Sequence, residues 1–387
     1  MTATASPDAG SPDIGSPATE VPGFIDSHTH LLKEAAQAPF PWAGTTVAGF
    51  HRATAEAGIT PMDVPDAPPP GPPGALPGRL HDGLRRAAAA GLTEITEMGM
   101  RDWRYLDALD VLQQAGPLPA RVRVYLASGL AEEASPSEAD ARRAAAGPGS
   151  WVSLDGVKFY ADGWLGPRTC AMEHGFADGG GTGILFLTAA ELARRITPLA
   201  ARGWRIATHA IGDRGVATVL DAYDLAWDGD RAAIAAAAPR IEHASLQSAD
   251  LISRLAASGM VACLQPSFAV TDVPDVGAGL DAARAATAYP WAALAAAGAP
   301  LLSGSDFPIE VLDPLPGLAR LVAGHSERDG FRTPVAAPAS SRLTAALAYS
   351  VMSDQASGRT LLSADPRTTA PGNIDRIQVL GTAPVPF

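Results

Sequence analysis

His28 and His30 stand two positions apart at the end of a short apolar run, PGFIDSHTH (residues 22–30). On a β-strand, residues i and i+2 share a face, so both imidazoles point the same way and form half of a metal site. Four more residues with matching chemistry end or ride later apolar runs: Lys158 in GVKFYA, His209 in RIATH, His243 in RIEHA and Asp306 in PLLSGSD. Neutral imidazoles and carboxylates ligate divalent cations. A lysine on a buried strand is costly unless paired or modified. Burial near cations favours its neutral amine, which can take up carbon dioxide as a carbamate and bridge two metals through its two oxygens. Each residue alone has a plainer reading. The histidines could be core or backbone-bonded, Lys158 could pair with Asp162, and Asp306 could cap a helix. The set of six is what points to metal chemistry.

These residues are spread over most of the chain, so a fold must bring them together. Eight short apolar or β-branched runs read as strands: 23–28, 93–98, 121–127, 156–161, 205–209, 240–244, 261–265 and 300–306. Helical patterns lie between them at 79–90, 104–115, 136–146, 188–202, 213–226, 248–258 and 281–297. Repeated strand–helix units predict a parallel sheet, and eight of them predict a (β/α)8 TIM barrel. In such a barrel the C-terminal strand ends share one rim, where active sites are built. Residues 1–20 are Ser-, Pro-, Ala- and Gly-rich and read as a disordered tail, 21–355 as the barrel, and 356–387 as an extension with one strand at 375–381. Residues 61–78 hold too many prolines for helix or central strand and read as an extended loop, a spacer or a cover for a pocket.

Composition narrows the partners. A formal charge of -12 with no block of Lys or Arg argues against nucleic acid and anionic membrane. Cys170 and Cys263 are far apart and form no CxxC pair, so neither a disulfide framework nor a thiolate zinc site is expected. The N-terminus has no basic residue and no apolar h-region, so no signal peptide is read there. The longest uncharged stretch, 285–305, is broken by Pro290, Gly298 and Pro300 and reads as helix then strand, not a membrane span. The expectation is a cytoplasmic protein acting on a small molecule.

With these motifs in view, the chain resembles the amidohydrolase superfamily. PGFIDSHTH, GVKFYADGWLGPRT, THAIGDRG, RIEHAS and GSDFPIE are most similar to its YtcJ-like branch, which includes N-substituted formamide deformylases. The resemblance implies a binuclear centre, usually of zinc. His28 and His30 would hold one metal and His209 and His243 the other. An N6-carboxylated Lys158 would bridge them, and Asp306 would be both ligand and general acid/base. Family members usually carry a small β-sandwich beside the barrel; too little chain flanks this barrel for one, so it is expected to be absent or vestigial, leaving homo-oligomer contacts open.

The implied reaction is hydrolysis of a non-peptide C–N bond in an amide, formamide or cyclic amide by metal-activated hydroxide, with Lys158 and Asp306 as catalytic residues. A mononuclear heterocycle deaminase and a lactonase are alternatives on the same fold, and a non-catalytic metal-binding barrel is one of another class. Tyr160, Trp164 and Arg168 are candidate substrate contacts, Arg168 as a carboxylate clamp or as one side of a surface salt bridge. Phe40, Trp42 and Gln265 are candidate pocket walls. His174 reads as a solvated loop residue, and Glu97 faces the mouth or a helix. Strand alternation places Asp26 on the face of His28 but deeper, and turns Glu242 away from His243.

Overall fold

A computed structural model describes residues 18–39, 43–66, 69–145, 149–328, 334, 336 and 341–387. Ten strands form one sheet: β1 Thr19–Thr29, β2 Leu92–Met100, β3 Arg121–Ala127, β4 Val152–Tyr160, β5 Arg205–Ala210, β6 Arg240–His243, β7 Val261–Leu264, β8 Leu301–Ser303, β9 Ser353–Leu362 and β10 Val379–Pro384. From β1 to β8 each strand runs parallel to the next. All eight expected strands are present, and the architecture is TIM-barrel-like. Helices alternate with them, and Leu80, Leu84 and Ala87 of the helix Leu76–Ala89 show the one-sided burial that docks such helices on a sheet.

The chain just past β8 comes back to β1. The Asp306 amide donates to the His28 carbonyl (2.6 Å), and the His30 amide donates to the Phe307 carbonyl (2.7 Å). The buried Asp26 carboxylate accepts the amide (2.9 Å) and hydroxyl (2.5 Å) of Ser305 and the amide of its own neighbour His28 (3.1 Å). Gly304 lets the two backbones meet. A Cβ there would lie 2.3 Å from the His28 amide nitrogen and 2.8 Å from its Cα.

The main core lies between sheet and helices, where Val122, Val124 and Leu126 of β3 are fully buried. The alternate residues of β3 face inward. Tyr125 packs with Met98 and Ala207, and below it Arg121 and Arg123 pair with Glu94, Arg123 also with Asp155. The Phe387 ring lies 4.5 and 4.8 Å from these two guanidiniums and covers that end of the ring.

Several expectations change. Two strands follow the barrel, not one. β9 pairs antiparallel with β1, and β10 with β9. Thr19 and Glu20, expected in a disordered tail, pair with Leu362 and Leu361 in this ladder; residues 1–17 of that tail lie outside the described residues. The extra strands extend the barrel's own sheet. The helix expected over 281–297 is two short ones, Ala282–Ala285 and Trp291–Ala296, separated by Tyr289 at φ 53° and Pro290. The proline-rich stretch is fastened down at its start. Pro61–Asp63 form a 3-10 turn capped reciprocally by Thr60 and Asp63, Arg101 donates to the carbonyls of Pro61 and Val64, and Asp66 pairs with Lys33.

Because the atoms met by a Cβ at Gly304 are the His28 backbone and the Cβ fixed to it, they cannot swing aside. Gly304→Ala is expected to cost about 1–3 kcal/mol, as overpacking does, read as a lower urea midpoint with unchanged slope.

Candidate metal centre

The six side chains singled out by type and spacing converge at the C-terminal rim. His28 Nε2 and His30 Nε2 lie 3.4 and 3.1 Å from the same Asp306 oxygen. The ring of His28 is 5.1 Å from that of His243, which is 4.4 Å from that of His209. Lys158 and Tyr160 point inward from β4, and Tyr160, opposite His209 in the ladder, stacks on its imidazole at 4.1 Å and 8°. His243 and Asp306 both adopt left-handed backbone, at φ 75° and 58°. For residues with a Cβ this costs about 1–3 kcal/mol, a strain that collects at functional sites.

Hydrogen bonds fix the tautomers. His28 Nδ1 is 2.7 Å from Glu242 Oε2. Glu242 is ionised, so Nδ1 must donate and Nε2 keeps its lone pair. His209 Nε2 donates to the Gly163 carbonyl at 3.0 Å, which leaves Nδ1 bare. His209 Nδ1, His243 Nδ1 and Lys158 Nζ are buried with no hydrogen-bond partner among the described residues. A natural protein rarely leaves three such groups unsatisfied in one place.

Electrostatics keep the donors ready. Burial, then the charge of Lys158, lowers His28 to about 4. Burial pushes His209 and His243 well below the usual range as well. Burial also lowers Lys158 to about 8, so the neutral amine is a minor form at pH 7 and reaches about half by pH 8. For Asp306 burial acts upward, but His28, His30 and Lys158 outweigh it and hold the carboxyl low. Glu242 is held lower still against its burial, first by Arg240 and then by His28. Arg240 reaches Glu242 Oε1 at 2.8 Å and donates to the Ser27 carbonyl.

The donor set fits a divalent cation. The ligand atoms of His28, His30 and Asp306 lie within 4.8 Å of one another, and tetrahedral zinc with bonds of about 2.0–2.1 Å needs ligands roughly 3.3 Å apart. His28, Glu242 and Cys263 also cluster, but Glu242 is committed to Arg240 and burial raises the Cys263 thiol well above its ordinary value.

A cavity of about 230 Å³ opens against His209, His243 and Asp306. Trp164, Ile211, Phe268 and Ile309 form apolar walls. Of the three expected substrate contacts, Trp164 lines this cavity. Tyr160 does not; it backs His209. Arg168 does not line it either. Its guanidinium bridges Asp178 (2.8 Å) and Asp275 (3.0 Å) and donates to the Leu165 carbonyl, so it pins its own loop. Gln265 is buried beside Cys263 outside the cavity. Phe40 and Trp42 lie outside the described residues, and His174 is exposed. Asp162 is no partner of Lys158, since it accepts the amides of Ala171, Ile211 and Gly212. Glu97 accepts the Leu32 amide at the start of the helix Leu31–Ala35.

Glu242 is the functional neighbour that strand alternation misplaced. It faces into the barrel, and the left-handed backbone at His243 and Ala244 breaks the alternation, so His243 reaches the rim as well. The usable signal was Arg240 and Glu242 at i and i+2, a same-face ion pair on a buried strand.

Fold and rim together define a TIM-barrel-like protein with a histidine–carboxylate–lysine cluster at the C-terminal ends of its strands. The amidohydrolase family model matches residues 44–360, most of the chain. The chain belongs to the amidohydrolase family. It is 33% identical over 184 residues to "Putative amidohydrolase YtcJ" of Bacillus subtilis (strain 168), which places it near the YtcJ-like branch; the stretch covers 47% of this chain and 34% of that relative, so only about a third of the relative is spanned. Among solved structures, an uncharacterized metal-dependent hydrolase from Pyrococcus furiosus superposes with a TM-score of 0.65 at 19% identity, covering 91% of this chain and 88% of that one. An adenosine deaminase from Xanthomonas campestris with bound zinc gives 0.53 at 15% identity, covering 95% and 79%. At these identities the structural likeness speaks to the fold.

Glu242→Gln keeps the shape but removes the charge that orients His28. Zinc affinity by chelator competition is expected to fall about 10–100-fold. A second outcome concerns pH. Burial raises Glu310 from 4.5 to about 7. A carboxyl raised in the folded state adds stability that is full below its unfolded value and lost as pH rises through about 7. Glu310→Gln should therefore gain on the wild type between pH 5 and 8, by about 2 kcal/mol in denaturant titrations.

Proposed function

We propose that the protein is a metal-dependent hydrolase cleaving a non-peptide C–N bond of a small amide, formamide or cyclic amide. The observation that carries this reading is the rim itself: three buried nitrogens without partners next to a His28–His30–Asp306 group of ligand spacing. His28, His30 and Asp306 would hold one divalent cation, His209 and His243 a second, and a carboxylated Lys158 would link the two. Such cations, most simply zinc, would polarise a carbonyl oxygen and make water acidic enough to attack at neutral pH.

The chain's own groups do the rest. Asp306 takes the proton of the attacking water and passes it to the nitrogen as the C–N bond breaks. Glu242 and the Gly163 carbonyl hold His28 and His209 in the tautomers that leave a lone pair free. Tyr160 keeps His209 from turning, and the apolar walls at Trp164, Ile211 and Phe268 exclude bulk water from the reacting bond. Lys158 supports the two-cation reading over a mononuclear deaminase, because a buried amine with no acceptor is otherwise a cost without a return. A small-molecule substrate suits the cavity size, and two buried free thiols suit the reducing cytoplasm. No helix among the described residues is long and apolar enough to cross a membrane.

Metal analysis should give near two ions per chain, with the mass of one carbon dioxide added to the intact metal-loaded protein in native mass spectra and lost in Lys158→Ala; one ion and an unmodified lysine would favour the mononuclear alternative. Asp306→Asn should lower kcat on a hydrolysed N-acyl or N-formyl compound by about 10²–10⁴-fold while KM moves little. Unchanged kcat would remove Asp306 from proton transfer.

A further inference from the structure

The charged side chains that line the cavity at the rim are all acidic. Besides Asp306 the cavity is lined by Asp272 and Glu310, and among the described residues no lysine or arginine lines it. Glu310 accepts the Thr271 hydroxyl at 2.6 Å, and Asp272 accepts the Tyr289 hydroxyl; both donors are neutral. The guanidiniums that act on them have other bonds. Arg168 bridges Asp178 and Asp275, and the buried Arg320 donates to Ser267 Oγ at 2.6 Å. Burial raises Asp272 to about 6 and Glu310 to about 7, and the charge of Asp272 adds to the second shift. Two aromatic side chains, Trp164 and Phe268, line the same space. His243 lines it too, on the side of the metal centre. Carboxylates short of counter-charge beside aromatic faces make a seat for a cation and repel an anion.

We propose that this pocket takes substrates bearing a cationic, ammonium-type group in addition to the amide that is cleaved, seated against Trp164 and Phe268 and neutralised by Asp272 and Glu310. The word substrate rests on the hydrolase reading above; the preference for a cation does not.

The test compares two amides of one shape on the zinc-loaded full chain, one ending in a trimethylammonium group and the other in its neutral tert-butyl isostere. The cationic amide is expected to have a kcat/KM at least about ten-fold higher, and the ratio should fall to about three or less in the Asp272→Asn/Glu310→Gln double variant. Equal or inverted values in the wild type, or a ratio the double variant leaves alone, would overturn the proposal. If neither amide is hydrolysed, the hydrolase reading has failed, and calorimetric Kd values for the same two compounds decide the pocket. A roughly ten-fold preference for the cation that shrinks in the variant upholds it. Equal or undetectable binding sinks it. Should the double variant misfold, the single variants are read in the same way.

Discussion

Hydrogen bonding across the seam between β1 and the stretch after β8 makes one site out of two distant parts of the chain. His28 and Asp306 are nearly three hundred residues apart, yet the amide of one is bonded to the carbonyl of the other. Asp26 ties the same seam from the side by accepting both donors of Ser305. Without that closure the two β1 imidazoles and the carboxylate would have no common neighbour. Gly304 is the steric condition for it, since any side chain would stand in the backbone of His28.

A second constraint is charge held away from water. The ring's interior is built on Glu94, Arg121, Arg123, Asp155, Arg240 and Glu242 rather than on the branched apolar layers common in such barrels. Ion pairs of this kind add little net stability, but removing one partner strands the other at a cost of several kcal/mol. They fix geometry instead. Arg240 sets Glu242, Glu242 sets the ring of His28, and His28 faces Asp306. The same low-dielectric surroundings keep the imidazoles neutral and weaken the proton affinity of Lys158.

Much of this was legible in the sequence because it follows from local rules. Eight strand runs with helices between them give the barrel, and the barrel gives the rim where six scattered residues meet. What the sequence hid depends on exceptions to those rules. Glu242 and His243 both serve the site because the backbone turns left-handed at His243, which alternation does not foresee. β9, SDQASGRTLL, lacks the apolar alternation of a strand and is held by pairing with β1. Arg168 was open to two readings, a substrate clamp or one side of a salt bridge, and it is Asp178 nearby with Asp275 far along the chain that occupy it. Asp272 lies in no motif, and Glu310 closes GSDFPIE without a role of its own there; the two become visible as a pair only when folding sets them around one space.

The left-handed backbone at His243 and Asp306 bears on how the protein could be engineered. Glycine would sit in either conformation at no steric cost, so some of the gains in robustness open to this chain lie at positions the chemistry needs. A library sorted only for heat resistance or expression would drift toward hardy, inert chains. Selection for turnover has to accompany selection for toughness from the first round.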